Sequence, residues 1–192
     1  MRLKNHYWFL RHGQTTWHHP DLSYPADNRT SVRLSPEGKK QIETATRILK
    51  QKKIDLIFSS DYLRTEQTAG IVSRVLKIEP IFDKKLRDVR LGRYHGRPKS
   101  EYYRDRPLKT RFQKSPKGGE SWNDLKKRVA RFLKETEKKH RGKNILIVGH
   151  GDPLWLLNGV MKGLSQKELL DIIRIKKEYI QKGELKKING GD

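Results

Sequence analysis

The chain has 192 residues, 33% hydrophobic and 34% charged, with a formal net charge of +22 and a pI near 10.2. That length suits one domain with a real core, and the absence of cysteine excludes disulfides, thiolate chemistry and cysteine-ligated zinc. The apolar part of MRLKNHYWFL is too short for a signal peptide and no run approaches the ~20 apolar residues of a membrane span, so a cytoplasmic protein without a membrane partner is expected.

Short apolar runs alternate with helix-like segments. Residues 7–10 (Tyr-Trp-Phe-Leu) predict a buried strand. Ser35-Pro36-Glu37 marks a helix start, with serine as the cap, proline at the first helical position and glutamate facing the positive helix end. Ile42, Ala45, Ile48 and Leu49 follow at helical spacing. Residues 55–59 predict a second strand, and Asp61 is placed to cap a helix carrying Leu63, Ala69, Ile71, Val72 and Val75. Residues 78–82 predict a third strand. Ser121 caps a long amphipathic helix with Leu125, Val129, Phe132 and Leu133. Residues 143–148, containing ILIV, predict the most apolar strand, and helices over residues 153–161 and from Ser165 complete the pattern.

Strands alternating with helices argue for an α/β fold, a mostly parallel central sheet flanked by helices, as one domain over residues 1–192. In such sheets ligands gather beyond the carboxyl ends of the strands. Arg11-His12-Gly13, Ser59-Ser60-Asp61 and His150-Gly151 each follow a predicted strand, so three strand ends point to one place. Residues 84–117 differ, with 13 basic and 3 acidic residues, few aliphatic positions and no clean period, and with Tyr94, Tyr102, Tyr103 and Phe112 interspersed. They predict an irregular basic insertion beside the sheet, reaching to about residue 120. The tail, residues 176–192, is basic, and its Asn-Gly-Gly-Asp end is expected to fray.

His12 is the candidate nucleophile. A neutral imidazole has one free lone pair, and its other nitrogen must donate, typically to a backbone carbonyl. Attack on a phosphate ester would split hydrolysis into two steps through a phosphohistidine. Gly13 would let the backbone approach a ligand. Arg11 and Arg64 are candidate clamps, since phosphoryl transfer depends on positioning and on charge at the equatorial oxygens, and arginine supplies planar bidentate donors. A surface ion pair with Glu66 or Asp61 is the plainer reading of Arg64. His150 is a second imidazole able to donate to the transferring oxygens. Asp88 is the candidate proton donor, and one carboxyl can also deprotonate water afterwards. A bound phosphate dianion favours that donor role, while Arg87 and Arg90 oppose it. Glu120 is the rival carboxylate. His18, His19 and Asp21 show no metal-ligand spacing and read as a solvated loop. No Walker A or GxGxxG sequence is present.

Five ordered segments, FLRHGQTTW, SSDYLRTEQTA, LRDVRLGRYHG, GGESWNDLKKRV and ILIVGHG, resemble the motifs of the histidine phosphatase superfamily, which includes the cofactor-dependent phosphoglycerate mutases and many small phosphatases. The resemblance spans residues 7–157. It implies a phosphoglycerate mutase-like sheet with an inserted cap and a phosphorylated His12. It also implies a phosphoryl group held by Arg11, Arg64 and His150, with Thr15 and the backbones of Gln14 and Gly151 nearby, and no metal or other cofactor. Three features depart from the family pattern. Asp88 stands where glutamate is usual, shortening the reach by roughly 1–1.5 Å, enough to matter for proton transfer. Gln14-Thr15 and His18 replace the mutase residues, and the charged tail after Leu170 is atypical. The compact length resembles the small phosphatases of broad, alpha-ribazole phosphate or sugar phosphate specificity. The expected activity is metal-independent hydrolysis of small anionic phosphomonoesters. Mutase-type transfer is the alternative, and a weakly active module binding phosphate or, non-specifically, nucleic acid is a second. The net +10 of residues 84–117 favours strongly anionic substrates. Oligomeric state is left open.

Overall fold

The structure, a computed structural model, describes residues 2–175 and 179–188. Its elements run in chain order as β1 (His6–Arg11), α1 (Asn28–Ser31), α2 (Pro36–Leu49), β2 (Leu56–Ser59), α3 (Leu63–Leu76), β3 (Pro80–Phe82), α4 (Lys99–Asp105), α5 (Leu108–Arg111), α6 (Trp122–Lys139), β4 (Asn144–Gly149), α7 (Gly151–Lys162), α8 (Gln166–Arg174) and β5 (Leu185–Ile188). The sheet order is β3-β2-β4-β1-β5. The first four strands are mutually parallel, and β5 lies antiparallel on β1.

Both faces of the sheet are buried, which explains the nearly continuous apolar runs of β1 and β4. Side chains alternate across the sheet. Ile145 and Ile147 of β4 face α6 and α7 in a core with Phe132, Leu125 and Trp155, whereas Leu146 and Val148 face α2 and α3 with Ile42, Leu49 and Val72. The helices start where the serines predict. Ser35 accepts from the Gly38 amide, and Ser121 and Ser165 each form a reciprocal box with the acid three residues on, worth about 1 kcal/mol per cap.

Two expectations need correction. Asp61 does not cap α3. The cap is Tyr62, without a side-chain bond, and the Asp61 carboxylate is taken by Arg87, whose Nε lies 2.6 Å from Oδ1 while Nη2 donates to Oδ2. A bidentate guanidinium outcompetes a backbone amide for a carboxylate, and it holds the Asp61 carboxyl below its usual range. The tail contains a strand that its composition hides. Leu185 pairs with Leu10 and Ile188 with Tyr7, so two apolar residues among lysines complete the sheet edge. Such lysines also protect an edge strand from further pairing. The end expected to fray, residues 189–192, lies outside the described residues.

The basic insertion contains two 3-10 turns, Lys84–Leu86 and Gly92–Tyr94, as well as α4 and α5. Its aromatic residues anchor it. Phe112 is 1% exposed and packs edge-on against Trp122, with ring centroids 5.1 Å apart. No helix among the described residues is long and apolar enough to cross a membrane.

Candidate active site

Strand register builds the site. Arg11 at the end of β1 lies opposite Gly149 at the end of β4. The next residue of each chain segment is a histidine, so the His12 and His150 rings meet edge-on with centroids 5.3 Å apart. Ser59 of β2 lies opposite Val148, which sets Ser60 beside His150, with Oγ 2.9 Å from Nε2.

The His12 ring is buried, and its Nδ1 lies 2.8 Å from the Gly13 carbonyl oxygen. A carbonyl only accepts, so Nδ1 carries the proton and Nε2 keeps its lone pair. Burial, and then the charges of Arg64 and Arg11, push the imidazole well below its usual pKa of 6.5. Burial and Arg64 do the same to His150. Both rings are therefore neutral at pH 7. Gly13 is required by packing, since a Cβ there would lie 2.3 Å from the Gly38 carbonyl oxygen and the loop after β1 sits directly on the start of α2.

Arg64, in the first turn of α3, is fully buried and makes no pair with Glu66 or Asp61. Nη1 donates to the Asn28 backbone and side-chain oxygens at 3.0 and 3.1 Å, and Nη2 to Asp88 Oδ2 at 3.1 Å. The guanidinium lies 4.7 and 4.9 Å from the ring centroids of Tyr24 and Tyr62. Arg11 donates from Nη1 to the Ile180 carbonyl at 2.8 Å. Among the described residues, five buried side-chain polar atoms lack a hydrogen-bond partner, and three of them are Arg11 Nε, Arg64 Nε and His150 Nδ1. Buried donors are ordinarily satisfied. These three lie at the ends of β1 and β4 and the start of α3, and an anion bound there would satisfy them.

Asp88 enters this group. Its Oδ2 lies 3.6 Å from His150 Nδ1 as well as against Arg64. Neither of its sequence neighbours Arg87 and Arg90 pairs with it. Glu120 is placed differently, with Oε1 accepting from Arg128 Nη2 at 2.6 Å and Oε2 from Nε at 3.1 Å, while the Arg90 amide also donates to Oε1. Arg128 in turn donates to the Asp88 carbonyl at 2.9 Å. Glu120 thus supports the loop that carries Asp88.

Thr15 is buried, with Oγ1 3.2 Å from the Tyr24 hydroxyl. The Gln14 amide is committed to Gln41 Oε1 at 2.9 Å, and its side chain is exposed. Gly151 opens α7, and a Cβ there would lie 2.2 Å from the Tyr179 hydroxyl. His18, His19 and Asp21 are exposed, with His19 stacked edge-on against Trp17. No group of three potential metal ligands is found among the described residues. Sequence reasoning missed Asn28, Tyr24, Tyr62, Arg128 and Tyr179, which reach the site through tertiary contacts. It placed Ser60 at the right strand end without giving it a role.

Two adjoining cavities open from the pocket. One, of about 220 Å³, reaches Asp88 and Gly151. The other, of about 490 Å³, extends outward to Trp17, Ile173 and Lys182.

The sequence matches the family model of the histidine phosphatase superfamily (branch 1) over residues 7–177. Phosphoglycerate mutase-like protein 4 of Arabidopsis thaliana is 30% identical over 167 residues, covering 82% of this chain and 68% of the relative. Phosphoserine phosphatase 1 of Hydrogenobacter thermophilus is 28% identical over 166 residues, 81% of this chain and 75% of the relative. Among solved structures, a mycobacterial glucosyl-3-phosphoglycerate phosphatase complexed with VO3 shares the fold with a TM-score of 0.79 at 22% identity, over 94% of this chain and 88% of that one. The alpha-ribazole phosphatase of Shigella flexneri does so with a TM-score of 0.75 at 22% identity, over 94% and 88%. The chain belongs to the histidine phosphatase superfamily and is one of its phosphatases.

Proposed function

We propose that the enzyme hydrolyses phosphomonoesters through a phosphohistidine on His12. The observation that carries this reading is the ring of unpaired donors, Arg11 Nε, Arg64 Nε and His150 Nδ1, around an imidazole whose own N–H is spent on Gly13. His12 Nε2 attacks phosphorus, and the bond to the ester oxygen breaks. Arg11, Arg64 and His150 meet the charge on the equatorial oxygens, where positioned donors contribute most. Asp88 gives its proton to the departing alkoxide. It then takes one from the water that attacks phosphohistidine, which frees phosphate and restores the imidazole. A proton on His150 Nδ1 requires Ser60 to donate to Nε2, and the 2.9 Å contact provides that.

The substrate is a small phosphorylated metabolite, and the alcohol it carries is the leaving group. The names of the phosphoserine, glucosyl-3-phosphoglycerate and alpha-ribazole phosphatases among its relatives and structural neighbours mark the range to screen. Rapid quench with a labelled phosphate ester is expected to trap acid-labile, base-stable label on His12, and His12→Ala to lose both label and turnover. Unchanged hydrolysis in His12→Ala would overturn the reading. The kinship with a phosphoglycerate mutase-like protein supports one rival, return of the phosphoryl group to a sugar acid. Stimulation by 2,3-bisphosphoglycerate would reveal it.

A further inference from the structure

The outer cavity has its own cationic anchor, separate from the phosphoryl donors. Arg111, the last residue of α5, sits among three aromatic rings, 4.8 Å from the centroid of Tyr102, 4.9 Å from Tyr103 and 5.4 Å from Trp122. Its Nε donates to the Arg106 carbonyl at 2.7 Å. Neither Nη group donates to a described residue, and no described carboxylate lies within ion-pair distance. An arginine in a chain this rich in charge is free to wave in solvent. This one is hydrogen-bonded at one edge and enclosed by three rings, so its fork is oriented before any ligand arrives.

The surroundings define what that fork can take. Arg111 lines both cavities, as do Arg11 and Trp122. It therefore stands between the phosphoryl pocket and the outer space. Lys182 adds charge on the outer side, and Lys99 adds charge to both cavities while donating one hydrogen bond to the Pro20 carbonyl. The one carboxylate on the outer wall, Asp152, already accepts from Tyr179 at 2.6 Å and from Trp122 Nε1 at 3.1 Å. The remaining wall joins the apolar Trp17, Leu108 and Ile173 to His19 and Tyr24, and several of its side chains are aromatic. Tyr103, 53% exposed, presents its ring at this wall. A short alcohol would leave most of the 490 Å³ unused.

We infer that the leaving group is a flat-faced alcohol bearing a second anion, a carboxylate or phosphate, which Arg111 holds while the aromatic walls cover its body. This rests on the phosphatase reading for the phosphoryl end only. A planar, prealigned guanidinium suits a bidentate oxyanion. The net positive charge of the cavity disfavours a cationic group in the same place and rewards an anion more than a neutral polar group.

Binding of non-hydrolysable ligands separates this inference from the chemistry. Calorimetry at fixed ionic strength would compare benzylphosphonate with 4-carboxybenzylphosphonate and with the longer 4'-carboxybiphenylmethylphosphonate. At least one carboxylated ligand is expected to bind roughly tenfold more tightly than benzylphosphonate. That advantage is expected to vanish in Arg111→Gln, while benzylphosphonate affinity stays within about twofold. Arg111→Lys, which keeps the charge but loses the fork, is expected to retain only part of the advantage, and it carries the test if the glutamine variant fails to fold. Equal binding of all three ligands by the wild type overturns the inference. So does an advantage that persists in Arg111→Gln, which would assign it to Lys99, Lys182 or the overall field. Phenyl phosphate turnover in the same preparations reports on the phosphatase reading independently. Its loss in His12→Ala together with no carboxylate advantage would leave that reading standing and remove this one.

Discussion

The phosphoryl pocket and the outer cavity share Arg11, yet they are assembled by opposite means. The pocket follows from strand register. β1, β4 and β2 end side by side, and the next residues, His12, His150 and Ser60, are thereby neighbours. Its side chains are buried and its donors fixed by the rigid sheet. The cavity is walled by pieces far apart in sequence, namely Trp17, the insertion with Tyr103 and Arg111, Ile173 of α8, and the tail at Tyr179 and Lys182. Only short backbone pairings tie these pieces together, such as the Leu22–Pro98 bridge, and side-chain contacts complete the shape, such as the Tyr179–Asp152 hydrogen bond and the rings around Arg111. Chemistry that must be geometrically exact sits on regular structure, and selectivity sits on loops that can vary.

Four substitutions test that division, beginning with the largest effect. Arg64→Gln removes a fully buried clamp and is expected to lower kcat/KM by about 10²–10³-fold for any ester. A loss confined to acid-bearing esters would erase the boundary between the two regions. Glu120→Gln breaks the ion pair that lets Arg128 hold the Asp88 carbonyl. Urea titration should show a cost of about 2–4 kcal/mol, the lower end reflecting the partial exposure of Arg128, and kcat should fall equally for all substrates. If stability falls and kcat does not, the Asp88 loop needs no support from Arg128. Ser60→Ala removes the hydroxyl that orients His150, and kcat is expected to drop roughly tenfold, with Ser60→Thr restoring part of it. Full activity in the alanine variant would mean that the His150 tautomer is set by the bound phosphoryl group alone. Tyr179→Phe deletes one hydrogen bond to Asp152 and should cost about 1 kcal/mol. Phenyl phosphate turnover should hardly change, while the ranking of larger esters shifts. A general loss of activity would place the tail within the chemical step.

Legibility in the sequence followed the same division. Serine caps and apolar runs depend on neighbours a few residues away, so α2, α6, α8 and the strands β1, β2 and β4 were readable within a residue or two. The five motif segments singled out His12, Arg11, Arg64, His150 and Asp88 as candidates, the first four at strand ends or a helix start and Asp88 in the irregular stretch between two 3-10 turns. Asp61 misled, since its helix-capping pattern is local whereas its partner Arg87 is not. Glu120 looked like a rival acid because a sequence shows a carboxylate but not the Arg128 that occupies it. Strand β5 was hidden because an edge strand needs only Leu185 and Ile188 to be apolar, and lysines between them read as tail.

The sequence by itself determined the layered sheet, the strand ends at which chemistry could occur and the side chains able to perform it, because these depend on periodicity and on residue type. Only the tertiary structure decided which charges pair and which remain free. Arg87 and Arg128 are consumed by Asp61 and Glu120, while the Nε groups of Arg11 and Arg64 remain unpaired in the pocket and the Nη groups of Arg111 stand at the cavity. In a chain of 44 lysines and arginines, composition shows that positive charge is abundant. Its use depends on distances of a few ångströms across folded elements, where Coulomb attraction and hydrogen-bond geometry choose between partners.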